Sequence, residues 1–324
     1  MKKVYIAREI DSAGIDLLKK QKELEVKINT KKESLSKQSL IEEAKGSEAI
    51  VTLLTDIVDK EVMDGIGKQL KIISNYAVGY DNIDIKSAKE RNIVATNTPE
   101  VMTQAVAEHA IALMLCCARR IGEGDRYVRA GNYKGWEPDL LLGPEIAGKN
   151  LGIIGMGRIG ESLAQTAYHG FGMKIYYHDL NKNEELERNL QADYLSLNSL
   201  LERSDFISIH VPLNKATHHL IGKQEFVQMK DNAILVNTAR GAVIDEKALI
   251  NALKDKQIFA AGIDVYEDET SPSKELYKLE NIILTPHIAS ATIEARKSMA
   301  LNVASNVINV LNGKAPLTPI IINK

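Results

Sequence analysis

Cysteine is scarce in this chain of 324 residues, which contains only Cys116 and Cys117. The two are adjacent within an apolar helical pattern, and neighbours on a helix point about 100° apart, so this geometry disfavours a disulfide between them. Their spacing also fits no zinc site. We expect two buried thiols in a reducing compartment.

An excess of charge of one sign is also lacking. The 41 basic and 43 acidic side chains are well mixed and give a formal net charge of -2. No cluster of Lys and Arg indicates a nucleic acid or an anionic membrane surface as a partner. A small anionic substrate remains compatible with this composition, because one arginine in a cleft is enough to bind it.

Long apolar runs are missing as well, since none reaches the roughly 18 residues that span a bilayer. The opening segment MKKVYIAREI has an apolar run too short for a signal peptide, and no small-residue cleavage site follows it. There is no internal repeat of solenoid period and no low-complexity segment. We therefore expect a cytoplasmic globular protein that does not bind membranes.

Two successive α/β alternations occupy the chain, and its length suits two domains better than one. Short β-branched runs spaced by helical patterns predict parallel sheets built from βαβ units. The predicted strands of the first alternation are 4–8, 24–28, 48–54, 70–79 and 93–98. Those of the second are 150–155, 174–179, 205–211, 232–239, 259–265 and 281–286.

One long helical pattern runs from Thr103 to about Gly131, and its first half is apolar nearly all round. Such a pattern predicts burial between domains or subunits. A loop rich in Gly and Pro follows at 132–147. We expect the helix at 103–118 and this loop to form the interface of a two-fold homodimer. A final amphipathic helix is predicted at 290–313.

The strongest local signal is GMGRIG at 155–160, which follows an apolar strand and opens a helical pattern. In that context the motif is typical of dinucleotide binding. Gly155 permits the tight turn, Gly157 lets the backbone approach a pyrophosphate, and Gly160 lets the helix pack on the strand. The helix N-terminus then offers free N–H groups to the phosphates. The alternative is a glycine-rich turn without a ligand.

Asp179 supports the cofactor interpretation, because it ends the next predicted strand, 19 residues after Gly160. An acidic side chain there accepts hydrogen bonds from the adenosine ribose and repels the 2′-phosphate of NADP. NAD is therefore the expected cofactor and NADP the less favoured one, since Lys182 could soften that repulsion. Because the motif lies in mid-chain, we expect residues 100–289 to form the cofactor domain and residues 1–99 plus 290–324 the substrate domain.

Ligands of open parallel sheets bind beyond the carboxyl ends of the strands, which directs attention to the residues found there. Reducing a keto acid needs a cation for the carboxylate, an acid for the carbonyl oxygen and a group that orients the acid. Arg240 suits the first role, because guanidinium binds carboxylate bidentately. His287 suits the second, since imidazole titrates near neutral pH. Glu269 suits the third, although the sequence does not show that the two meet.

Each of these assignments has a competing interpretation. Arg240 could belong to a surface ion pair, and Glu269 could belong to a solvated acidic loop at 267–269. His210 is a rival acid at another strand end. The remaining histidines lack a catalytic context and are predicted to be structural or at the surface: His109, His169, His178, His218 and His219.

Five motifs, in order, resemble the D-isomer-specific 2-hydroxyacid dehydrogenase family over nearly the whole chain. They are GMGRIG at 155–160, HVPL at 210–213, NTARG at 237–241, GIDVYEDE at 262–269 and TPHIAS at 285–290. The resemblance implies an α/β fold of two doubly wound parallel-sheet domains, with a Rossmann domain inserted into a flavodoxin-like one. It implies NAD-dependent reduction of a small 2-keto acid to the D-2-hydroxy acid. It also implies Arg240, Glu269 and His287 as the catalytic set, which decides against Glu267 and His210.

The same resemblance implies the binding residues, and no metal site is expected. The substrate carboxylate is expected to meet backbone N–H groups in the segment 75–79. The predicted substrate contacts are Leu53, Ala77, Val78, Gly79, Arg240 and His287. The predicted cofactor contacts are Thr103, Gly155, Gly157, Arg158, Ile159, Gly160, Asp179, Pro212, Thr238, Ala239, Arg240, Asp264, His287 and Ser290.

The segments 53–56 and 136–138 resemble the glyoxylate and hydroxypyruvate reductase branch most. Large apolar groups at Leu53, Leu54 and Trp136 favour a small pocket, and no Lys or Arg cluster lies there to hold a substrate phosphate. D-lactate dehydrogenase is the nearest rival. An NAD(H)-sensing corepressor on the same fold is the alternative from another class, and the lack of basic or low-complexity tails argues against it. A Rossmann methyltransferase leaves Arg240 and His287 unexplained.

Overall fold

The structure is a computed structural model that describes residues 1–31 and 33–321. The chain forms two compact units. The first unit is Met1–Met102 together with Ala291–Lys324, and the second unit is Thr103–Ser290. Each unit is built on one parallel sheet. The prediction of two doubly wound parallel-sheet units is therefore confirmed.

The first unit contains five strands and the helices that cover them. The strands are β1 (Lys2–Ile6), β2 (Leu24–Ile28), β3 (Ala49–Thr52), β4 (Ile72–Asn75) and β5 (Val94–Thr96). The helices are α1 (Ser12–Lys19), α2 (Lys37–Ala44), α3 (Lys60–Ile66), α4 (Ile85–Glu90) and the C-terminal α12 (Ile293–Leu311). The strand order β2-β1-β3-β4-β5 is that of flavodoxin-like folds.

Local sequence explains these elements. Every residue of β3 and β4 is buried, as their continuously apolar pattern predicts for strands with both sheet faces covered. The side chain of Ser36 accepts a hydrogen bond from the backbone N–H of Ser39 and so caps α2. Gly46 follows the end of this helix with a left-handed φ of 81°, which glycine adopts without strain.

The second unit contains seven strands. They are β6 (Asn150–Ile154), β7 (Lys174–His178), β8 (Asp193–Tyr194), β9 (Phe206–Ile209), β10 (Ile234–Asn237), β11 (Ala260–Ile263) and β12 (Ile282–Leu284). The helices are α5 (Thr103–Ala118), α6 (Ile121–Arg129), α7 (Arg158–Phe171), α8 (Glu184–Leu190), α9 (Leu197–Arg203), α10 (Lys223–Gln228) and α11 (Glu246–Lys254). From one edge the order is β8-β7-β6-β9-β10-β11-β12, the doubly wound dinucleotide-binding order with one further strand.

The helical pattern at 103–131 forms two helices instead of the predicted single one. The break lies at Arg120, whose φ of 49° is left-handed and cannot continue a right-handed helix. The apolar helix α5 packs against α7, β10 and β11 within its own unit and contributes to the core there. Its all-round apolar surface is therefore largely explained without a second subunit.

Two features of composition also have a structural counterpart. In the described part of the chain no helix is both long and apolar enough to cross a membrane. Cys116 and Cys117 are free thiols on α5. Burial raises the pKa of Cys117 to about 12, so this thiol stays protonated at neutral pH.

Candidate active site

The glycine-rich loop lies between β6 and α7, where the strand order of the second sheet reverses between β6 and β9. Gly155 has a φ of 94°, and its N–H donates to the carbonyl oxygen of His178 at 2.8 Å. A Cβ on Gly155 would lie 2.8 Å from the carbonyl carbon of His210, and one on Gly160 would overlap the carbonyl oxygen of Gly155. Glycine at these two positions lets the loop pack against the neighbouring main chain without a steric clash.

Gly157 faces open space and forms the N-cap of α7 without a side-chain hydrogen bond to the first turn. The first N–H groups of this helix are therefore available to an anion. Thr238, which follows β10, has a buried hydroxyl without a hydrogen-bond partner among the described residues. An open amide-rich cradle and an unpaired buried hydroxyl fit the phosphates and polar groups of a dinucleotide.

Asp179 follows β7 and forms a hydrogen bond with the glycine loop. Its Oδ2 accepts a hydrogen bond from the backbone N–H of Met156 at 2.7 Å. Its backbone carbonyl accepts the hydroxyl of Tyr194 at 2.9 Å. The ammonium of Lys182 lies over the Tyr194 ring, 5.3 Å from its centroid. Lys182 is the cation that could offset the repulsion between Asp179 and a 2′-phosphate. It is already engaged in this cation–π contact.

The predicted catalytic residues follow three strands that are neighbours in the second sheet. Arg240 follows β10, Asp264 and Glu269 follow β11, and His287 follows β12. Adjacent strands lie about 4.8 Å apart, and parallel strands end at the same edge. The order β10-β11-β12 therefore places the three chain segments side by side at the carboxyl edge.

His287 and Glu269 form a hydrogen-bonded pair. The imidazole Nδ1 lies 3.1 Å from Glu269 Oε1, so the two side chains meet although 18 residues separate them. With Nδ1–H donating to the carboxylate, the other ring nitrogen Nε2 is left for a substrate. The His287 side chain is 22% exposed, so a ligand can reach it.

Asp264 organises the backbone of the segment that carries His287. Its Oδ1 accepts from the N–H of Ile288 and its Oδ2 from the N–H of Ala289, both at 2.8 Å. Its carbonyl oxygen accepts the N–H of His287 at 2.9 Å. These bonds hold His287 at a φ of 53°, a left-handed conformation that is costly for a residue with a Cβ.

Asp264 itself is fully buried and ionised. Burial works to raise the pKa of its carboxyl, but hydrogen bonds from His109, Thr285 and the two backbone amides outweigh it, and the net shift is downward. The side-chain partners lie at 3.5 Å (His109 Nε2) and 2.6 Å (Thr285 Oγ1). Asp264 was predicted to contact the cofactor. That contact stays a prediction; the residue has no exposed surface, and its carboxylate oxygens accept hydrogen bonds from protein donors.

Arg240 is fixed by its own loop. The side chain of Asn237 donates to the Arg240 carbonyl oxygen at 2.9 Å, and Arg240 Nη1 donates to the carbonyl oxygen of Ala239 at 2.8 Å. A Cβ on Gly241 would overlap the main-chain carbonyl of Tyr266. Gly241 thus allows direct main-chain contact between the Arg240 loop and the loop that carries Glu269.

Two residues that competed for the catalytic roles have other partners. Burial lowers the pKa of His210 to about 4, and its Nε2 lies 2.8 Å from the Ser208 hydroxyl, so this imidazole is neutral at physiological pH. Glu267 pairs with His219 rather than with His287. His219 was predicted to be a surface residue without a role. The contact could have been expected only from the position of His219 after β9, because His219 and Glu267 are 48 residues apart in sequence.

The other predicted cofactor residues lie at element ends of the second unit. Thr103 begins α5, Arg158 and Ile159 begin α7, and Pro212 follows β9. Ala239 follows β10, and its N–H donates to Asn237 Oδ1 at 3.0 Å. Ser290 is buried at the end of the unit. Their contacts with a cofactor remain predictions.

The predicted substrate segments of the first unit follow two neighbouring strands. Leu53 follows β3, and the residues 76–79 follow β4, so both lie at the carboxyl edge of the first sheet. The N–H of Leu53 donates to Asp56 Oδ2 at 2.8 Å. Burial raises the pKa of the Asp56 carboxyl despite this bond. The Leu53 loop is thus held by a buried side chain of its own.

No group of three or more His, Cys, Asp or Glu side chains in residues 1–31 and 33–321 is placed to hold a metal ion. The doubly wound sheet, the glycine loop and the unpaired Thr238 hydroxyl define a dinucleotide-binding α/β protein. The histidine–carboxylate pair and Arg240, at adjacent strand ends, are suited to proton transfer beside an anionic ligand.

Residues 111–289 match the family model described as D-isomer specific 2-hydroxyacid dehydrogenase, NAD binding domain. The chain belongs to this family, and it is therefore an oxidoreductase with a domain for a nicotinamide cofactor. The predicted family membership is confirmed.

Comparison with individual proteins agrees with this assignment. The chain is 49% identical to a glyoxylate reductase of Thermococcus litoralis over 99% of this chain and 97% of the relative. The TT0316 protein of Thermus thermophilus has a TM-score of 0.92 at 40% identity, covering 98% of this chain and all of that one. An NADPH-dependent glyoxylate/hydroxypyruvate reductase of Sinorhizobium meliloti, in complex with NADP and malonate, has a TM-score of 0.87 at 28% identity, with coverages of 98% and 96%.

Proposed function

We propose that the protein reduces a small 2-keto acid, glyoxylate or hydroxypyruvate, to the D-2-hydroxy acid with NADH. The observation that carries the proposal is the hydrogen bond between His287 Nδ1 and Glu269 Oε1 at 3.1 Å. Glu269 follows β11, and the Arg240 loop follows the neighbouring strand β10. The glyoxylate reductase relative supports the substrate class. The second unit would hold the cofactor, and the first would contribute Leu53 and the segment 76–79 to substrate binding.

In this proposal the three catalytic side chains have different tasks. Bound NADH supplies the hydride. Arg240 binds the substrate carboxylate with its guanidinium and stabilises the charge that grows on the carbonyl oxygen. His287 donates the proton from Nε2 to that oxygen. Glu269 accepts the Nδ1–H, which fixes the orientation and the tautomer of the ring.

Asp264 acts indirectly in this scheme. Its hydrogen bonds to the backbone from His287 to Ala289 fix the left-handed conformation of His287. This conformation sets the position of the imidazole. An acid that is held in place needs no rearrangement when the substrate arrives. Asp264 is thus a positioning residue, and His287 is the catalytic one.

Preference for NADH over NADPH is part of the proposal. The Asp179 carboxylate beside the glycine loop would repel a 2′-phosphate, and Lys182 is engaged with Tyr194. One structural neighbour is an NADPH-dependent reductase, and we assign the NADH preference of this chain to Asp179 and to the engagement of Lys182.

The test is NADH oxidation with a panel of 2-keto acids. We expect the highest kcat/KM with glyoxylate and hydroxypyruvate, lower values with pyruvate, and D-configured product from prochiral substrates. Activity on several small acids is expected, because one methylene changes the barrier by only about 1–3 kcal/mol. A higher kcat/KM for 3-phosphohydroxypyruvate or for a branched 2-keto acid would overturn the substrate assignment.

A further inference from the structure

Three consecutive carbonyl groups after β4 are each held by a hydrogen bond. The carbonyl oxygen of Ala77 accepts the backbone N–H of Thr98 at 2.9 Å. That of Val78 accepts the side-chain amide of Asn97 at 2.7 Å. That of Gly79 accepts the side-chain amide of Asn75 at 2.9 Å. The direction of every peptide group in this loop is thereby fixed.

The N–H groups of the same loop have no hydrogen-bond partner in the part of the chain that the structure describes. Within residues 1–31 and 33–321, the backbone N–H groups of Ala77, Val78 and Gly79 donate no hydrogen bond. In a planar trans peptide the N–H points opposite to the C=O of the preceding residue. Thr98 therefore sets the direction of the Val78 N–H, and Asn97 sets that of the Gly79 N–H. Successive unpaired N–H groups form a concave site for an anion.

The loop is also tied to the Leu53 loop by a second asparagine. Asn75 Nδ2 lies 3.1 Å from Asn82 Oδ1. Asn82 Nδ2 donates at 3.0 Å to the carbonyl oxygens of both Leu53 and Asp56. The Thr52 hydroxyl donates to Asn75 Oδ1 at 3.1 Å. The amide-bearing loop and the apolar side of the predicted pocket are thus held by one hydrogen-bonded network.

We propose that Asn97 is a positioning residue for recognition of the substrate carboxylate, because it aims the Gly79 N–H through the Val78 carbonyl. The inference rests on the proposed function, in which the segment 76–79 takes part in substrate binding beside Arg240. Asn97 is suited to the role because its own backbone is anchored. Its carbonyl oxygen accepts the Thr318 hydroxyl at 2.6 Å, and its N–H donates to the Thr318 carbonyl oxygen. The Asn97 backbone is therefore held in place, and its side-chain amide can keep the Val78 carbonyl in one direction.

Substitution of Asn97 should weaken carboxylate binding with little effect on turnover. An N–H···carboxylate bond is present in both ground and transition states, so its loss raises KM more than it lowers kcat. We expect Asn97→Ala to raise the KM for glyoxylate and the Ki of oxamate, an unreactive carboxylate analogue, by about 10-fold or more. The KM for NADH should stay unchanged.

Asn97→Asp is the second variant, because it keeps the shape but replaces the donor by a charge that repels the Val78 carbonyl. It should raise the oxamate Ki further than Asn97→Ala does. The matched control is Gln69→Ala. Gln69 also donates its amide to backbone carbonyls, those of Ser47 and Ile66, but at the amino ends of β3 and β4. It should leave the oxamate Ki at the wild-type value.

The outcomes separate the two proposals. If the wild type neither reduces 2-keto acids nor binds oxamate, the proposed function fails and this inference fails with it. If the wild type does both, and a folded Asn97 variant keeps the wild-type KM and oxamate Ki, only the role of Asn97 is refuted. A fall in kcat at unchanged Ki would likewise refute it, because the effect would then not lie in carboxylate binding.

Discussion

The main chains of Gly241 and Tyr266 are in direct contact, and no side chain larger than hydrogen fits at Gly241. This contact joins the loop of Arg240 to the loop of Glu269. The two loops end neighbouring strands, β10 and β11, but their spacing beyond the strands is fixed by this contact. The distance between the groups proposed to bind the carboxylate and to transfer the proton thus depends on Gly241, which has neither role in the proposal.

Gly241→Ala should therefore damage stability and activity together. The added Cβ must displace the Tyr266 carbonyl, and we expect a loss of about 2 kcal/mol or more in the free energy of unfolding. Gly170→Ala is the control, since Gly170 lies in α7 and a Cβ there meets no atom within 4 Å. Alanine at that helical position should be neutral or stabilising by up to about 1 kcal/mol. Denaturant unfolding of both variants measures the difference, and equal stabilities would contradict the role of the contact.

Asp179→Asn should erode the preference for NADH. The asparagine keeps an oxygen acceptor for the Met156 N–H but removes the charge that repels a 2′-phosphate. We expect the ratio of kcat/KM for NADH to that for NADPH to fall at least 10-fold. Asp193→Asn, which removes a charge at the amino end of β8, should leave the ratio unchanged. Equal efficiency with both cofactors in the wild type would defeat the assignment.

His210 should make the stability of the protein depend on pH. Burial lowers its folded pKa to about 4, below the value of about 6.5 for a solvated histidine. Between these values the unfolded chain binds more protons than the folded one, so the free energy of unfolding falls as pH decreases from about 6.5 to 4. His210→Gln should make this decline shallower. Urea unfolding across that pH range gives the slopes, and identical slopes would show that His210 is not buried as a neutral base.

Exposed apolar side chains on and after α6 support the predicted homodimer. Val128 and Trp136 are 58% and 82% exposed, and Tyr133 and Leu142 are exposed as well. We expect light scattering at micromolar concentration to report a dimer, and Val128→Asp to shift it towards monomer. Val227→Asp is the control, because Val227 on α10 is similarly exposed at 66%. A monomeric wild type would contradict the prediction.

Much of the fold could be predicted because its signals are local. The glycine motif, the buried strands and the Ser36 cap each depend on a few adjacent residues. The break at Arg120 was missed because an arginine in a left-handed conformation has no sequence signature, unlike Gly46. The short strand β8 was missed because two residues cannot show a period.

The candidate site was predictable in its residues but not in its connections. His287 and Glu269 could be named from motifs, whereas their contact depends on the order of β11 and β12 in the sheet. The buried role of Asp264 was missed because its partner His109 lies on α5, far away in sequence. The same holds for Asn97, whose amide acts on a loop after a different strand.

The central claim is that His287 is the general acid, and the turnover of His287→Ala measures it most directly. The variant should lose roughly 10²–10⁴-fold in kcat for glyoxylate at saturating NADH, the range for loss of a positioned acid. His210→Gln, which changes a histidine at the end of another strand of the same sheet, should keep kcat within a few-fold of wild type. Near-normal kcat in folded His287→Ala, or a larger loss in His210→Gln, would contradict the account and assign proton transfer to another group.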